Sequence, residues 1–390
     1  MLERSRPRGS SAAAPGHQGR SVGRIRRPSL GERRSAPRPR SPARDRPPGG
    51  HPISRSGEPF QAPIVDEKVE EDQGGESGEV RILFWGTPDF AVPSLRALAE
   101  EGHDVVGVVT QPDRPSGRGR KLRVSAVKQV VLDEGYPVLT PERPRGESFM
   151  EGVRELAPDL SVVVAYGCIL RREVLDLPPR GSINVHASLL PQLRGAAPIN
   201  WAIVRGKKVT GVTVMRMVEE MDAGPILFQL EEPIGPHETA SELTARLSEI
   251  GAQALVETLA MLQLGAIEER EQDYALATYA PKVNRATARV DWAVDAPAVA
   301  NHVRGMDGVP GAWSLFGGEP VKLFRPEAQP GHPDGSLPGV VLRADPEGGL
   351  LVASGTGAVA LGEVQPTGRR RMPASDWIRG RSVVEGDCFE

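Results

Sequence analysis

From Val80 onward, short apolar segments without regular polar alternation are separated by segments with helical spacing. Strands are predicted over residues 80–85, 104–110, 160–165, 182–185, 211–217 and 225–230. Continuous apolar runs are typical of strands that are buried on both faces. Because these strands alternate with helices, the sequence predicts an α/β domain with a mostly parallel sheet over residues 80–265.

A second, β-rich domain is predicted after the last helix of the first. That helix begins at a capping box formed by Thr239 and Glu242 and extends to Gly265. Residues 266–285 are polar and are interpreted as a linker. Residues 286–385 contain short apolar segments between Gly- and Pro-rich turns, which is typical of a small all-β barrel. Its strands are predicted over residues 289–292, 312–315, 321–324, 339–342, 350–353 and 358–364.

The first 79 residues differ in composition from the rest of the chain. Residues 1–60 contain 14 Arg, 10 Pro and 4 acidic residues, whereas residues 61–80 contain 7 acidic residues and one Lys. The net charge of −3 therefore results from cancellation between segments. Since such a composition cannot bury enough apolar surface to offset the entropy of ordering, residues 1–79 are predicted to be disordered.

Three interpretations of residues 1–79 fit this composition. The segment is a basic tail that touches RNA, an organelle transit segment, or an upstream region that is not translated. We favour the third, because no Met occurs between Met1 and Met150 and a start codon read at Val80 would begin the protein at its first strand.

Several protein classes are not compatible with the sequence. The two cysteines, Cys168 and Cys388, are far apart, which argues against a disulfide scaffold and fits a reducing compartment. No run approaches 18 apolar residues, and the N-terminus has no apolar stretch of the secretory type. We therefore expect a soluble intracellular protein without a membrane span.

The first turn after a strand, Gly86–Phe90, occupies the place of the glycine-rich fingerprint in dinucleotide-binding folds. Only Gly86 fits that fingerprint, so an NAD(P)-dependent dehydrogenase is not favoured. A similar, Rossmann-like sheet topology remains compatible with the strand and helix order.

Asn184, His186 and Asp222 are the candidate catalytic residues. Asn184 and His186 stand two apart at the carboxyl end of a predicted strand, so alternation places both side chains on the same side. In open α/β sheets, ligands bind beyond these strand ends. Asp222 lies in a turn between two predicted strands, where an exposed turn acid is the alternative interpretation. Spacing alone leaves these residues as a plausible triad.

A basic segment follows the second strand. Residues 111–122 contain four cations and two glycines. The segment is interpreted either as a solvated mobile loop or as a finger that closes on phosphates or on the end of a nucleic acid. Residues 369–371, three consecutive arginines, either add nucleic-acid contacts from the second domain or form a solvated surface.

Several segments, in this order, carry a family resemblance: FWGTPDFAVPSL, VVTQPDRPSGRGRKL, VVVAYGCIL, INVHASLLPQLRGAAPI, GVTVMRM, MDAGPIL, YAPKV, ARVDW and GVPGAWSLF. Together they resemble the methionyl-tRNA formyltransferases, a branch of the folate-dependent formyltransferase family. The resemblance covers residues 80–385. The basic segment, GAAPI and the C-terminal part point to the tRNA-specific branch, whereas the triad and SLLP are shared with the wider family.

The resemblance implies a fold, a reaction and partners. The fold would be a Rossmann-like catalytic domain followed by an OB-like β-barrel domain, residues 286–385, that binds tRNA. The reaction would transfer a formyl group from 10-formyltetrahydrofolate to the α-amine of methionine on initiator tRNA, without a metal. We expect a monomer in a bacterial-type cytoplasm, or a mitochondrial protein if residues 1–79 are a transit segment.

The resemblance also implies roles for individual residues. Asp222 would help to remove a proton from the attacking amine, while His186 and Asn184 would stabilise the oxyanion. Ala187 stands where the family usually has glycine, a change that we expect to be tolerated. The folate site would be lined by Ser188, Leu189, Leu190 and Pro191, and the tRNA would be contacted by Arg118, Arg120 and Lys121.

Two alternative functions are considered. Another folate-dependent formyltransferase, or a formyl-folate hydrolase, would act on a small amine, and the basic segment and second domain argue against it. An RNA-binding protein with an inactive enzyme fold would tolerate the loss of Asn184, His186 and Asp222. The presence of all three together argues against this alternative.

Overall fold

The computed structural model describes residues 80–116, 121–331, 335–380 and 383–390. Residues 1–79, for which disorder or absence from the translated protein is predicted, lie outside these ranges. All described residues fall within one compact unit, Gln73–Glu390. In the described ranges, no helix is both long enough and apolar enough to cross a membrane.

The first domain is built on a mostly parallel sheet. Its strands are β1 (Arg81–Gly86), β2 (Asp104–Val109), β3 (Arg114–Ser116), β4 (Lys121–Arg123), β5 (Val138–Leu139), β6 (Leu160–Val164), β7 (Ser182–His186), β8 (Val209–Arg216) and β9 (Ile226–Pro233). Seven of them form one sheet in the order β5-β2-β1-β6-β7-β8-β9. Neighbours from β5 to β7 run parallel, and β8 and β9 add antiparallel pairs. The predicted α/β sheet is confirmed.

Helices bury both faces of this sheet. They are α1 (Val92–Glu100), α2 (Ala126–Glu134), α3 (Glu147–Glu155), α4 (Arg172–Leu175), α5 (Pro198–Val204) and α6 (Ala240–Gln263). In β1, Ile82 and Phe84 belong to the apolar core shared with α1 and α6, whereas Leu83 and Trp85 belong to the core shared with α3 and α4. This two-sided burial explains why the strand sequences lack polar alternation. The capping box predicted at the start of α6 is present.

The second domain is an antiparallel sheet whose two edges are joined by the end of the chain. Its elements are α7 (Ala296–Gly305), β10 (Trp313–Phe316), β11 (Glu319–Gln329), β12 (Val341–Asp345), β13 (Gly349–Ala353), β14 (Ala358–Pro366), β15 (Met372–Pro373) and α8 (Ala374–Gly380). The order is β10-β11-β14-β13-β12, with β15 paired to β14. Residues 387–390 hydrogen-bond to Leu315 on one edge strand and to Val341 on the other. The sheet therefore closes as the predicted small barrel requires.

One strand predicted for this domain is wrong. Residues 289–292 form no strand, and only Arg289 makes a bridge, to Trp313. Val290 and Trp292 are apolar because they are buried in the domain core, not because they alternate across a sheet. The helix α7 follows directly, capped by Asp295, whose carboxylate accepts a hydrogen bond from the N–H of Ala298.

The helix α7 also joins the second domain to the first. The buried Arg304 donates to the backbone oxygen of Glu238 at 2.8 Å, and the oxygen of Gly305 accepts from the Asn200 amide at 2.8 Å. A side chain at Gly305 would lie 2.5 Å from Val204, so α5 and α7 can approach this closely only with glycine there. Specific contacts therefore fix the two domains together.

Residues 266–285, interpreted from the sequence as a linker, are packed against the first domain. Arg270 forms a bridge with Ile226, and Tyr279 forms one with Arg194. Gln272 is 4% exposed. The polar composition of this segment thus reflects hydrogen bonds to the loops of the first domain as well as contact with solvent.

Burial lowers the pKa of His302 on α7, and a hydrogen bond with the backbone of Ala288 and the charge of Asp291 oppose this shift only in part. The unfolded chain, in which the pKa of histidine is about 6.5, therefore binds this proton more readily than the folded chain. The contribution to stability is present above that value and is lost as the pH falls toward the folded pKa. For this one group, the free energy of unfolding changes by at most about 1.4 kcal/mol per pH unit.

We predict that the free energy of unfolding of the His302→Gln variant changes less than that of the wild type between about pH 7 and about pH 5. Urea unfolding at several pH values measures this slope. The variant His237→Gln, at an exposed position, is the matched control and should retain the wild-type slope. Equal slopes for wild type and His302→Gln would contradict the prediction.

Candidate active site

The three candidate catalytic residues lie on one cavity of about 610 Å³. Asn184 and His186 are at the carboxyl end of β7, and Asp222 is in the loop between β8 and β9. The two-residue period of the strand places Asn184 and His186 on the same side, as predicted from the sequence. The structure therefore brings the three residues together.

The two ring nitrogens of His186, which is 6% exposed, have different surroundings. Nε2 lies 3.0 Å from the backbone oxygen of Leu193. Because a carbonyl oxygen only accepts hydrogen bonds, Nε2 carries a hydrogen. Nδ1 lies 3.7 Å from Oδ2 of Asp222, which is too far for a direct hydrogen bond but close enough for attraction when the ring is charged. Nδ1 is therefore the ring atom that a ligand can engage.

Asp222 has an uncommon backbone conformation and a fixed carboxylate. Its φ of 52° lies in the left-handed region. Its Oδ2 accepts a hydrogen bond from the N–H of Gly195 at 2.7 Å. Gly195 has a φ of 116°, and a side chain there would lie 2.8 Å from the oxygen of Ala280, so this position requires glycine. The backbone thus orients the carboxylate toward the cavity.

The segment Ser188–Pro191, which the resemblance assigns to folate, is not among the described residues that line this cavity. The hydroxyl of Ser188 donates to the oxygen of Gln192 at 2.6 Å. Thr213 on β8 donates to the oxygen of Ser188 at 2.6 Å and accepts from the N–H of Leu190 at 3.1 Å. These bonds shape the turn that brings Leu193 to His186. A folate contact by this segment stays a prediction.

Much of the cavity wall comes from residues 165–170, which the sequence analysis linked to the family but did not assign to the site. Ala165 follows β6 with a φ of 48°, and Cys168 beyond it accepts a hydrogen bond from Gln111 at 3.0 Å. The signal for this wall is its place after the strand next to β7, because neighbouring parallel strands end at the same edge. Among the described residues, no cluster of three or more His, Cys, Asp or Glu side chains could hold a metal ion.

The basic segment forms an antiparallel hairpin of β3 with β4. Lys121 begins β4, while Arg118 and Arg120 fall between the two strands in sequence, outside the described residues. At the base of the hairpin, Lys128 on α2 donates to both carboxylate oxygens of Asp113 at 2.9 Å. The hairpin is thus anchored to the first domain, and its contact with RNA stays a prediction.

In the run of three arginines, Arg371 is engaged within the protein. Its guanidinium forms ion pairs with Glu363 and Asp307 and lies 3.9 Å from the ring centre of Phe324. Its charge is therefore paired within the second domain.

We predict that Thr213→Val lowers the free energy of unfolding by about 1–3 kcal/mol, because the buried turn around Ser188 loses one acceptor and one donor. The hydroxyl of Thr213 also accepts from the amide of Gln229 at 2.9 Å, which would be left without this partner. Chemical denaturation measures the change.

Thr210→Val on the same strand is the matched control. The hydroxyl of Thr210 is buried without a hydrogen-bond partner, so its removal should leave stability unchanged or increase it. A similar loss of stability in both variants would contradict the prediction.

The sequence matches the family model "Formyl transferase" over residues 80–259 and "Formyl transferase, C-terminal domain" over residues 282–382. It is 46% identical over 308 residues to a methionyl-tRNA formyltransferase of Solibacter usitatus, covering 79% of this chain and 98% of that protein.

Two solved structures share the fold. HypX from Aquifex aeolicus aligns with a TM-score of 0.54 and 21% identity over 80% of this chain and 49% of the other, so the chain spans about half of HypX. WlaRD, a sugar 3N-formyl transferase crystallised in the presence of dTDP and 5-N-formyl-THF, aligns with a TM-score of 0.54 and 15% identity over 75% of this chain and 100% of the other. With both family models matched and a relative aligned over nearly its whole length, the chain belongs to the formyl transferase family, among its methionyl-tRNA formyltransferases.

Proposed function

We propose that this enzyme transfers the formyl group of 10-formyltetrahydrofolate to the α-amine of methionyl-initiator tRNA, for translation initiation. The observation that carries the proposal is the convergence of Asn184, His186 and Asp222 on one cavity in a member of this family. The three side chains supply the two kinds of group that the reaction needs: a proton acceptor for the amine and donors for the formyl oxygen.

The cavity is suited to a folate-sized formyl donor. Its volume of about 610 Å³ lies in the range of roughly 300–1,000 Å³ that is usual for sites of small organic ligands. Phe90, Leu170 and Met217 contribute apolar wall, which suits a flat ring system. When bound, the folate supplies the activated formyl group, and the protein holds that group beside the polar side chains.

Asp222 is the proposed proton acceptor for the amine of methionine. An α-amino group has a pKa of about 7.7–8.0, so much of it is protonated and unable to attack near neutral pH. Both described contacts of the carboxylate, to Gly195 and His186, involve Oδ2, and we assign Oδ1 to the substrate ammonium. The fixed carboxylate attracts the ammonium and takes one proton from it, which frees the nitrogen lone pair for attack on the formyl carbon. When the bond between that carbon and the folate nitrogen then breaks, the second proton that the amine loses passes to the folate nitrogen.

His186 and Asn184 are proposed to stabilise the negative charge that develops on the formyl oxygen. Nε2 of His186 is already bonded to Leu193, so an imidazolium would present its Nδ1 hydrogen to the cavity. Asn184 offers its amide hydrogens from the same side of β7. Donors that are fixed before the reaction need no reorganisation as the charge appears.

The tRNA is proposed to contact the hairpin and the second domain. Arg118 and Arg120 lie between β3 and β4 in sequence, and Lys121 begins β4. Their positive charge suits the phosphates of an acceptor stem. The second domain, predicted over residues 286–385, is the proposed second contact. We further propose that the enzyme acts as a monomer in a bacterial-type cytoplasm; light scattering coupled to size-exclusion chromatography tests the oligomeric state.

We predict that Asn184→Ala and His186→Asn each lower kcat by about 10²–10³-fold, because each removes a donor to the formyl oxygen. Asp222→Asn preserves an acceptor for Gly195 but removes the proton acceptor, and it should lower kcat by about 10²–10⁴-fold. The measurement is the initial rate of formyl transfer to Met-tRNA. The exposed variant His237→Gln is the control, and full activity in any of the three variants would refute that residue's role.

The choice of acceptor separates the proposal from its alternatives. Met-tRNA, methioninamide and an amino sugar are supplied as acceptors with 10-formyltetrahydrofolate, and hydrolysis is followed without an acceptor. We expect transfer to Met-tRNA at a kcat/KM far above that of either small amine. Transfer to a small amine alone, or hydrolysis alone, would overturn the proposal in favour of another folate enzyme.

A further inference from the structure

A single buried amide connects the segment between the two domains to the loop of Asp222. Gln272 is 4% exposed, and its Nε2 donates to the backbone oxygens of Asp222 at 2.9 Å and Gly224 at 2.7 Å. Its Oε1 accepts from Nη2 of Arg194 at 2.6 Å and from Nε at 3.1 Å. Every hydrogen-bonding direction of the amide oxygen and nitrogen is therefore fixed by a partner.

We propose that Gln272 and Arg194 are positioning residues that hold the Asp222 carboxylate in its reactive place. The inference rests on the proposed function, because it assigns Asp222 to the proton transfer. Neither Gln272 nor Arg194 is among the described residues that line the cavity, so both act through Asp222 and not on the substrate.

The loop around Asp222 needs such a restraint. A non-glycine residue with a φ of 52° is strained, and the strain persists only where the surroundings enforce it. A side chain at Gly224 would lie 2.1 Å from the oxygen of Arg216, so the loop is also pressed against β8. Gln272 bonds the backbone of this loop from one side, while Gly195 bonds the carboxylate itself. Together they define where the carboxylate lies.

Arg194 adds a charge to this restraint. It is 3% exposed, and its guanidinium donates to the neutral amide of Gln272 while lying 4.7 Å from the ring centre of Tyr274. Arg194 also directly precedes Gly195, so its backbone is part of the same support for Asp222.

The variant Gln272→Glu keeps the contact of the side chain with Arg194 but removes its hydrogen bonds to Asp222 and Gly224. The glutamate has nearly the same shape and still accepts from Arg194, now as an ion pair. Its second oxygen would face the oxygens of Asp222 and Gly224, where two hydrogen bonds become repulsions. The variant therefore releases the Asp222 loop and neutralises the field of Arg194, while the packing is kept.

Gln272→Met is the complementary variant. It matches the length of the side chain and removes the hydrogen bonds on both sides, but it leaves the charge of Arg194 in place. Gln253→Glu, on the exposed face of α6, is the control for the same chemical change away from the site.

The experiment uses the full chain with Met-tRNA and 10-formyltetrahydrofolate. We expect kcat to fall by about 10–100-fold in both Gln272 variants with little change in either KM, because a displacement of about 1 Å at the reacting group costs on that order.

A purely structural role for Gln272 gives a different result. It predicts a lower Tm with wild-type kcat per folded molecule, and this outcome in both Gln272 variants would overturn the inference. If Gln272→Glu does not fold, the ratio of kcat between Gln272→Met and wild type decides. The wild-type rate on Met-tRNA tests the proposed function by itself, so failure of that proposal and failure of this one are distinguishable.

Discussion

The relative position of His186 and Asp222 depends on three consecutive backbone units, residues 193–195. The carbonyl oxygen of Leu193 accepts a hydrogen bond from His186, and the N–H of Gly195 donates to the carboxylate of Asp222. Two residues further along the chain hold this stretch. The hydroxyl of Thr278 accepts a hydrogen bond from the N–H of Leu193 at 2.9 Å, and the N–H of Ala280 donates to the backbone oxygen of Arg194 at 2.7 Å. Because both candidate catalytic groups are hydrogen-bonded to one short stretch, any displacement of it moves them together.

Strained backbone is concentrated around this support. Of the five described non-glycine residues with positive φ, Ala165 and Asp222 line the cavity and Leu193 bonds His186. Each such residue costs on the order of 1–3 kcal/mol, which the parallel sheet and the bonds from residues 272–280 offset. The resulting site is fixed before a substrate arrives, and fixed dipoles and charges are what stabilise a developing oxyanion most effectively.

Local periodicity accounts for what could be predicted from the sequence. The strands of the first sheet could be predicted because burial on two faces requires continuous apolar runs. The common orientation of Asn184 and His186 followed from the two-residue period of β7. Gln272 could not be found this way, because its partners Asp222 and Arg194 lie 50 and 78 residues away in sequence. The same limit applies to Ser188–Pro191. The turn of this segment is held by a hydrogen bond from Thr213 on β8, a contact that the local sequence does not reveal.

The support of the site extends beyond the catalytic sheet. The two family models end at residue 259 and begin again at residue 282, yet Gln272, Thr278 and Ala280 lie in the stretch between them. A segment interpreted from its polar sequence as a linker is thus part of the hydrogen-bonded support of the candidate site, and it continues directly into the second domain. Beyond the segment, α7 attaches the second domain to the first through the bonds of Arg304 with Glu238 and of Gly305 with Asn200. The segment is therefore followed by a second point of contact with the first domain. The support of the candidate site and the attachment of the second domain therefore both depend on contacts with the first domain, made by two separate sets of hydrogen bonds.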